Sequence, residues 1–336
     1  MPGSRFDPLE FLPAETYSKV TDVRVASPDV LRRAALARRR RRRIAPDGKL
    51  ALLAADHPAR MITGIRDDPL RMGRRREFLS RILRVMGCSP FDGLLGTADV
   101  VDDLLAVGDI SKRSILDGKL LLGSVNRGGL SGSSFELDDA VTGYDVEGAV
   151  RMRLDGVKFL LRFDPTDPES LKTLTYCVEV VRACEKRKMP LFLEPLPVVK
   201  KDGKVKMEAE KSKLVRLVGA ASALGSSSGR IWLKLPYCQG FEEVAGATTL
   251  PILLLGGEAS DDVLGLLREI ESGMKAGPNV RGVLMGRNLL YPQGDDPLPL
   301  AIAVHSIVHE GKKAEDALGE MPRHQGKDLG VFRSND

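Results

Sequence analysis

Short aliphatic runs alternate along this chain with longer segments in which leucine, valine and alanine recur at i, i+3 and i+4. Eight runs have strand character: Leu50 to Asp56, Gly93 to Gly96, Lys119 to Val125, Val157 to Phe163, Pro190 to Glu194, Ile231 to Leu235, Pro251 to Gly256 and Gly282 to Gly286. The intervening pattern predicts helices over Asp68 to Met86, Glu169 to Arg187, Glu208 to Ala223 and Asp261 to Met274. Eight strands alternating with helices over about 250 residues suit a closed parallel barrel. An open doubly wound sheet is the alternative, but no GxGxxG follows the first strand to favour a dinucleotide fold. The expected fold is α/β, a (β/α)8 TIM barrel with an N-terminal helical extension.

The extension covers residues 1–46, the barrel 47–310 and a charged tail 311–336. Ser27 and Pro28 start a helix that the pattern carries from Val30 to Arg43 and stops at Ala45-Pro46-Asp47-Gly48. That helix ends in six consecutive arginines, Arg38 to Arg43. Around a helix such a run projects in every direction, so a solvated or carboxylate-paired role is expected in preference to nucleic-acid binding. The segment 126–148 is rich in glycine and serine and longer than an ordinary βα connection, which suggests a functional loop. A last helix is expected around Leu300 to His309. Beyond it the tail from Gly311, broken by glycine and proline, predicts a poorly ordered end.

Composition narrows the function more than the fold. With 51 basic and 46 acidic residues among 336, the net charge of +5 is a mild bias toward anionic small molecules and does not require nucleic acid. Cys88, Cys177, Cys184 and Cys238 show no CxxC spacing, so reduced thiols in a cytoplasmic protein are expected and zinc is not. Met1 to Glu15 lacks a basic start followed by an apolar stretch, and no segment approaches 18 continuous apolar residues. Neither secretion nor a membrane span is expected. His305 and His309 stand at i, i+4 without an evident third ligand and read as ordinary helix residues. No metal and no cofactor is expected.

The candidate chemistry lies at the ends of the strand runs, because barrel active sites form at the C-terminal ends of strands. Period-2 alternation puts Asp56 on the face of Leu50, Leu52 and Ala54. It puts Lys158 with Leu160 and Arg162, Phe192 with Glu194, and Trp232 with Lys234, and Arg162 is expected to contact substrate. Barrel interiors are usually filled by valine, isoleucine and leucine, and unpaired charge there is costly. Structural readings exist for each residue: Lys234 could extend its amine to solvent, Glu194 pair with an arginine and Asp56 cap a helix. Together they fit imine formation better. A desolvated lysine beside a second one has its free amine favoured, which makes Lys234 a carbonyl nucleophile. Glu194 and Asp56 could then move protons. The last two strands end in Leu255-Gly256-Gly257-Glu258 and Met285-Gly286-Arg287-Asn288, glycine backbones suited to holding a phosphate, with Arg287 adding charge. His57 follows Asp56 and stands either against substrate or behind it.

These residues, in this order, resemble the class I Schiff-base aldolases of the deoxyribose-phosphate aldolase and tagatose-bisphosphate aldolase group. The similarity runs from about Leu50 to Tyr291. It rests on Gly156-Val157-Lys158 through Asp164-Pro165, on Phe192-Leu193-Glu194-Pro195, on Trp232-Leu233-Lys234, and on the two glycine loops. The resemblance implies Lys234 as imine-forming nucleophile and Glu194 as acid/base, with Asp56 and Lys158 assisting. It implies that Gly257, Gly286 and Arg287 hold a phosphate. The chain departs from the group at Asp56-His57-Pro58, where D-Q-R or D-H-G is usual, and by a glycine in the first phosphate loop where the tagatose enzyme has serine. Both departures touch substrate contacts. The expectation is a metal-independent aldolase acting on a phosphorylated ketose or keto-acid, and the resemblance implies a homo-oligomer. The branch is also similar to a domain of inositol breakdown that cleaves 5-dehydro-2-deoxygluconate 6-phosphate. The alternatives are a transaldolase- or thiolase-like enzyme using the same imine, and a non-catalytic barrel binding a sugar phosphate or, through Arg38 to Arg43, RNA or an acidic partner.

Overall fold

The computed structural model describes residues 5–201 and 203–332. Its strands are β1 (Leu50–Ala55), β2 (Gly93–Gly96), β3 (Leu120–Ser124), β4 (Gly156–Phe163), β5 (Leu191–Lys201), β6 (Lys204–Met207), β7 (Ile231–Leu235), β8 (Ile252–Leu255) and β9 (Val280–Met285). All except β6 pair in parallel in the order β1-β2-β3-β4-β5-β7-β8-β9, and β9 returns to β1 with Leu50 opposite Gly282. The sheet is closed, and the fold is the (β/α)8 barrel that the alternation predicts. β6 is an addition: it folds back antiparallel on the far end of β5, with Lys201 opposite Lys204.

Strand alternation sorts the apolar residues into two clusters. Leu50, Leu52, Ala54, Leu122, Phe192 and Leu284 pack together inside the barrel. Ala51, Leu53, Val157, Phe159, Leu193 and Leu233 join the larger cluster beneath the surrounding helices. Since the period is two, Asp56, Lys158, Arg162, Glu194 and Lys234 continue the inner rows toward the C-terminal mouth. Gly282 lies at a register shift between β8 and β9 with φ +133, where a Cβ would stand 1.9 Å from the Leu50 carbonyl oxygen. Only glycine fits this close approach.

The helix Glu169–Arg187 forms as predicted, burying Thr173, Cys177, Val180, Val181 and Cys184 at helical spacing. It ends at Lys188, in the left-handed conformation. The helix expected from Asp68 begins only at Arg75 and runs to Cys88. Residues ahead of it are held in turns by an Ile65–Asp68 bridge and an Asp68–Arg74 ion pair of 2.6 Å.

One expectation for the N-terminal extension is corrected. The helix Asp29–Ala37 stops before the arginine run, which is not helical. The run crosses the N-terminal face of the barrel instead, with Arg38 and Arg40 both on Asp155 at 2.9 and 2.7 Å and Arg41 on Asp92 at 2.7 Å. Both aspartates also accept backbone N–H groups at strand starts, Leu121 and Ala51. The tail is folded. After the helix Pro297–His305 and a wider turn over Ser306–Glu310, the helix Ala314–Glu320 buries Ala314 and Ala317. Phe332 packs edge-on against Phe11 at 5.3 Å. The expectation of a poorly ordered end falls on the last residues of the tail, of which 333–336 lie outside those described.

Candidate active site

The inward charges meet at the barrel mouth. Lys234, at the end of β7, sets its Nζ 2.8 Å from Glu194 Oε1, and Lys158 on β4 makes a short contact with Glu194 Oε2. Lys158 Nζ is also 3.8 Å from Asp56 Oδ2. The register explains the meeting. Lys158 lies opposite Phe192, two residues below Glu194, and Phe192 lies opposite Trp232, two below Lys234. Phe192 and Trp232 stack at 5.8 Å and form an apolar floor under the three charged groups.

All three groups are buried, with side chains between 3 and 8 % exposed. Burial pushes the Glu194 carboxyl up, but the Lys158 and Lys234 ammoniums outweigh it and hold the group well below the usual carboxylate range. Burial lowers the Lys158 amine well below an ordinary lysine, and the Lys234 and Arg127 charges lower it further, against the pull of Glu194. The cluster therefore holds an ionised carboxylate against an amine that gives up its proton readily.

Asp56 is held by groups that its strand position does not reveal. Arg127 Nη2 makes a short contact with its Oδ2, and Ser124 Oγ donates to the same oxygen at 3.2 Å. Burial lowers Arg127 to about 10. The side chain comes from the first turn after β3, and a strand-end Asn126-Arg127 pair opening a glycine-rich segment is the signal that could have found it. His57, beside Asp56, is lowered to about 3 by burial and then by Arg287 and Lys234. It is a neutral imidazole across the working pH range.

Arg162, expected to contact substrate, has another employment. Its guanidinium donates to the Gly129 carbonyl at 2.9 Å and the Glu136 carbonyl at 2.6 Å, and pairs with Glu136 and Asp139. Arg60 joins it, 2.5 Å from Asp139 and donating to the Asn126 and Gly129 carbonyls. These two arginines fasten the 126–148 segment over the β3–β4 side of the mouth, which engages both Nη groups of Arg162 there.

The two glycine loops are stitched together by Asn288, whose Nδ2 donates to the Gly256 carbonyl while its Oδ1 accepts from Ser260 N at 2.7 Å. Gly257 has φ +68, and at Gly286 a Cβ would come within 2.5 Å of His57 Cε1 and 2.6 Å of the Ala54 carbonyl oxygen. Arg287 lies across them, 3.2 Å from the exposed Glu258. Gly256, Gly257, Gly286 and Arg287 are thus brought together on the β8–β9 side of the mouth. No group of three or more histidine, cysteine, aspartate or glutamate side chains among the described residues is arranged to hold a metal ion. No helix among them is long and apolar enough to cross a membrane.

This geometry can be set beside known proteins. Residues 48–307 match the model of a family described as Cgl0159-like. The crystal structure of Cgl0159 from Corynebacterium glutamicum superposes with a TM-score of 0.84 at 36% identity, over 89% of this chain and 99% of that one. A Schiff-base-forming fructose-1,6-bisphosphate aldolase shares the fold, with a TM-score of 0.56 at 22% identity over 83% of this chain and 100% of that one. Among curated relatives, 2-amino-3,7-dideoxy-D-threo-hept-6-ulosonate synthase 1 of Archaeoglobus fulgidus is 33% identical over 98 residues, 29% of this chain. The match spans 36% of that relative's length.

Proposed function

Because the chain belongs to the Cgl0159-like family, and homologues of this barrel include Schiff-base aldolase-type enzymes, we propose that it is a metal-independent class I aldolase working through an imine on Lys234. The observation that carries this reading is the buried Glu194 between two amines, Lys234 Nζ at 2.8 Å and Lys158 Nζ in short contact. A carboxylate so placed can take a proton from one nitrogen and pass it to the other.

In the cleavage direction the free Lys234 amine adds to the substrate ketone. Glu194 takes the proton released as the C–N bond forms and passes it to the carbinolamine oxygen, and a second proton, taken from solvent, lets that oxygen leave as water. The resulting iminium accepts the electron pair of the carbon–carbon bond as it breaks. The proton of the departing hydroxyl passes to Glu194 or to Asp56, and the aldehyde leaves. The enamine then takes a proton at carbon, and water releases the ketone product and Lys234. Lys158 and Asp56 orient the substrate hydroxyls. The backbone at Gly256, Gly257 and Gly286, with Arg287, holds the phosphate.

The substrate class is a phosphorylated ketose or keto-acid, as in the tagatose-bisphosphate aldolase group that the motifs resemble. Within it we propose 5-dehydro-2-deoxygluconate 6-phosphate, cleaved to dihydroxyacetone phosphate and malonate semialdehyde. A coupled assay that detects no dihydroxyacetone phosphate from it would remove that substrate. A homo-oligomer is expected, and light scattering would read it.

The imine itself is tested by borohydride trapping with dihydroxyacetone phosphate and a panel of sugar phosphates, read by intact mass and peptide mapping. A covalent adduct on Lys234 that disappears in Lys234→Met is the expected result. A well-folded protein that traps none of them would overturn the proposal.

A further inference from the structure

We propose that the N-terminal face of the barrel, opposite the mouth, binds a small polyanion: a phosphorylated metabolite with at least two adjacent negative charges, held by Arg42, Arg43 and His305. A surface cavity of about 690 Å³ opens there, lined by these residues together with Arg41, Asp47, Asp92 and His309.

The proposal follows from an account of partners. Of the six arginines, Arg38 and Arg40 are taken by Asp155, Arg39 lies 3.9 Å from Asp117, and Arg41 is taken by Asp92. Arg42 and Arg43 are exposed and have no hydrogen-bond or ion-pair partner among the described residues. The two carboxylates in the cavity wall are already occupied. Asp92 accepts from Arg41, from His309 Nε2 at 2.9 Å and from Ala51 N at 2.7 Å. Asp47 accepts from His309 Nδ1 at 2.7 Å and Lys49 N at 3.1 Å. Two guanidinium charges remain unmatched at the rim of a framework that is itself fixed.

His305 completes the arrangement. Its ring stacks on His309 at 4.3 Å, and its nitrogens have no hydrogen-bond partner among the described residues. Guanidinium forks match phosphate oxygens in pairs, and an imidazole N–H adds a third donor. Orthophosphate would engage one fork, whereas a diphosphate can span both. The site is separate from the imine chemistry and does not depend on it.

The chain has four histidines, so their ring C–H signals can be followed individually by NMR while pyrophosphate is added at constant pH and ionic strength. The expected result is a saturable shift of His305 and His309 with His324 unmoved. Arg42→Ala/Arg43→Ala should weaken that binding roughly tenfold or more. Lys201→Ala/Lys204→Ala, which removes the same charge from two exposed lysines of the β5–β6 hairpin, should leave it unchanged. If the arginine variant melts early, Arg42→Lys/Arg43→Lys keeps the charge but loses the fork and should still weaken binding. A shift at His57 alone would assign the pyrophosphate to the mouth and overturn the proposal. Equal weakening by the arginine and lysine variants would also overturn it, since net charge would then be the cause.

Discussion

Replacing Glu194 with glutamine keeps the shape of the side chain and removes the charge between two amines. At an effective dielectric of about 20, unit charges at the Lys234–Glu194 separation of 2.8 Å attract by about 6 kcal/mol. The protein does not lose that much, because an amine left unpaired in the interior sheds its proton. Neutralising an ordinary lysine, with a pKa of about 10.4, costs about 4 kcal/mol at pH 7.5. That cost bounds the loss, and Lys158, whose pKa already lies well below ordinary, releases its proton for less. The expected destabilisation is therefore about 2–4 kcal/mol near pH 7.5.

The sign of the pH dependence follows. As pH rises toward the ordinary lysine range, the cost of a neutral amine falls by about 1.4 kcal/mol per unit, so the gap between the two proteins should narrow. On the acid side, the depressed Glu194 gives wild type a contribution that is present above the ordinary value of 4.5 and lost as pH falls from there toward its folded value. The variant lacks that acid limb. Denaturant unfolding at several pH values reads the stability terms. The rate of borohydride-trapped adduct formation with dihydroxyacetone phosphate reads the chemistry and should fall by roughly 10²–10⁴. A variant that traps as fast as wild type would refute the proton-shuttle role. A stability gap that stays constant from pH 7 to 9.5 would refute the charge argument.

Other outcomes follow from named contacts. Gly286→Ala forces a methyl against His57 and the Ala54 carbonyl, so KM for a phosphorylated substrate should rise severalfold and stability fall by about 1–3 kcal/mol, as kinetics and melting would show. His309, half-buried between Asp47 and Asp92, is lowered by burial but raised more by the two carboxylates, so its pKa lies above 6.5. Its contribution is full below pH 6.5 and is lost as pH rises through the folded value, so the melting-temperature gap between wild type and His309→Gln should be largest near pH 6 and shrink by pH 9.

The barrel was readable because strand alternation is a strict period. Asp56, Glu194 and Lys234 continue inward rows of apolar residues, and Lys158 takes the inward position between Gly156 and Leu160, so their convergence could be argued before the fold was known. Arg127, Arg60 and Asn288 could not be found this way, because Arg127 lies in the loop after β3 and the other two in single-turn helices, where no strand period sets the direction of a side chain. Arg162 shares the inward row, yet its partners come from the 126–148 segment, whose path alternation does not describe. The extension of β5 was hidden by Pro195 and Pro197, which read as a strand end. The structure shows why they are tolerated. Leu191 N donates to Arg230 at the start of β7, so odd-numbered residues of β5 turn their backbone toward that neighbour. β7 pairs only as far as Leu193, while β4 pairs on through Pro197. Pro195 therefore turns its missing N–H to the side that β7 has left, and Pro197 stands at the end of the β5–β6 ladder, where its carbonyl accepts from Glu208 N at 2.8 Å.

The arginine run was legible as charge and not as shape. Helical backbone would have stacked Arg38 over Arg42 and Arg39 over Arg43, like charges at i, i+4 costing roughly 0.2–0.5 kcal/mol a pair, and would have spread the side chains around a cylinder. After Ala37 the chain instead leaves the helix, and Arg38 ends it in an extended conformation with ψ 130. Residues two apart now point the same way: Arg38 and Arg40 both reach Asp155, while Arg39 turns to Asp117. Asp155 also accepts Leu121 N at 2.9 Å, and Asp92, the partner of Arg41, accepts Ala51 N at 2.7 Å. The carboxylates that hold the run outside the helix are thus the ones that also cap the starts of β1 and β3. They lie far along the sequence from the arginines, and so no local pattern around residue 40 could have announced them.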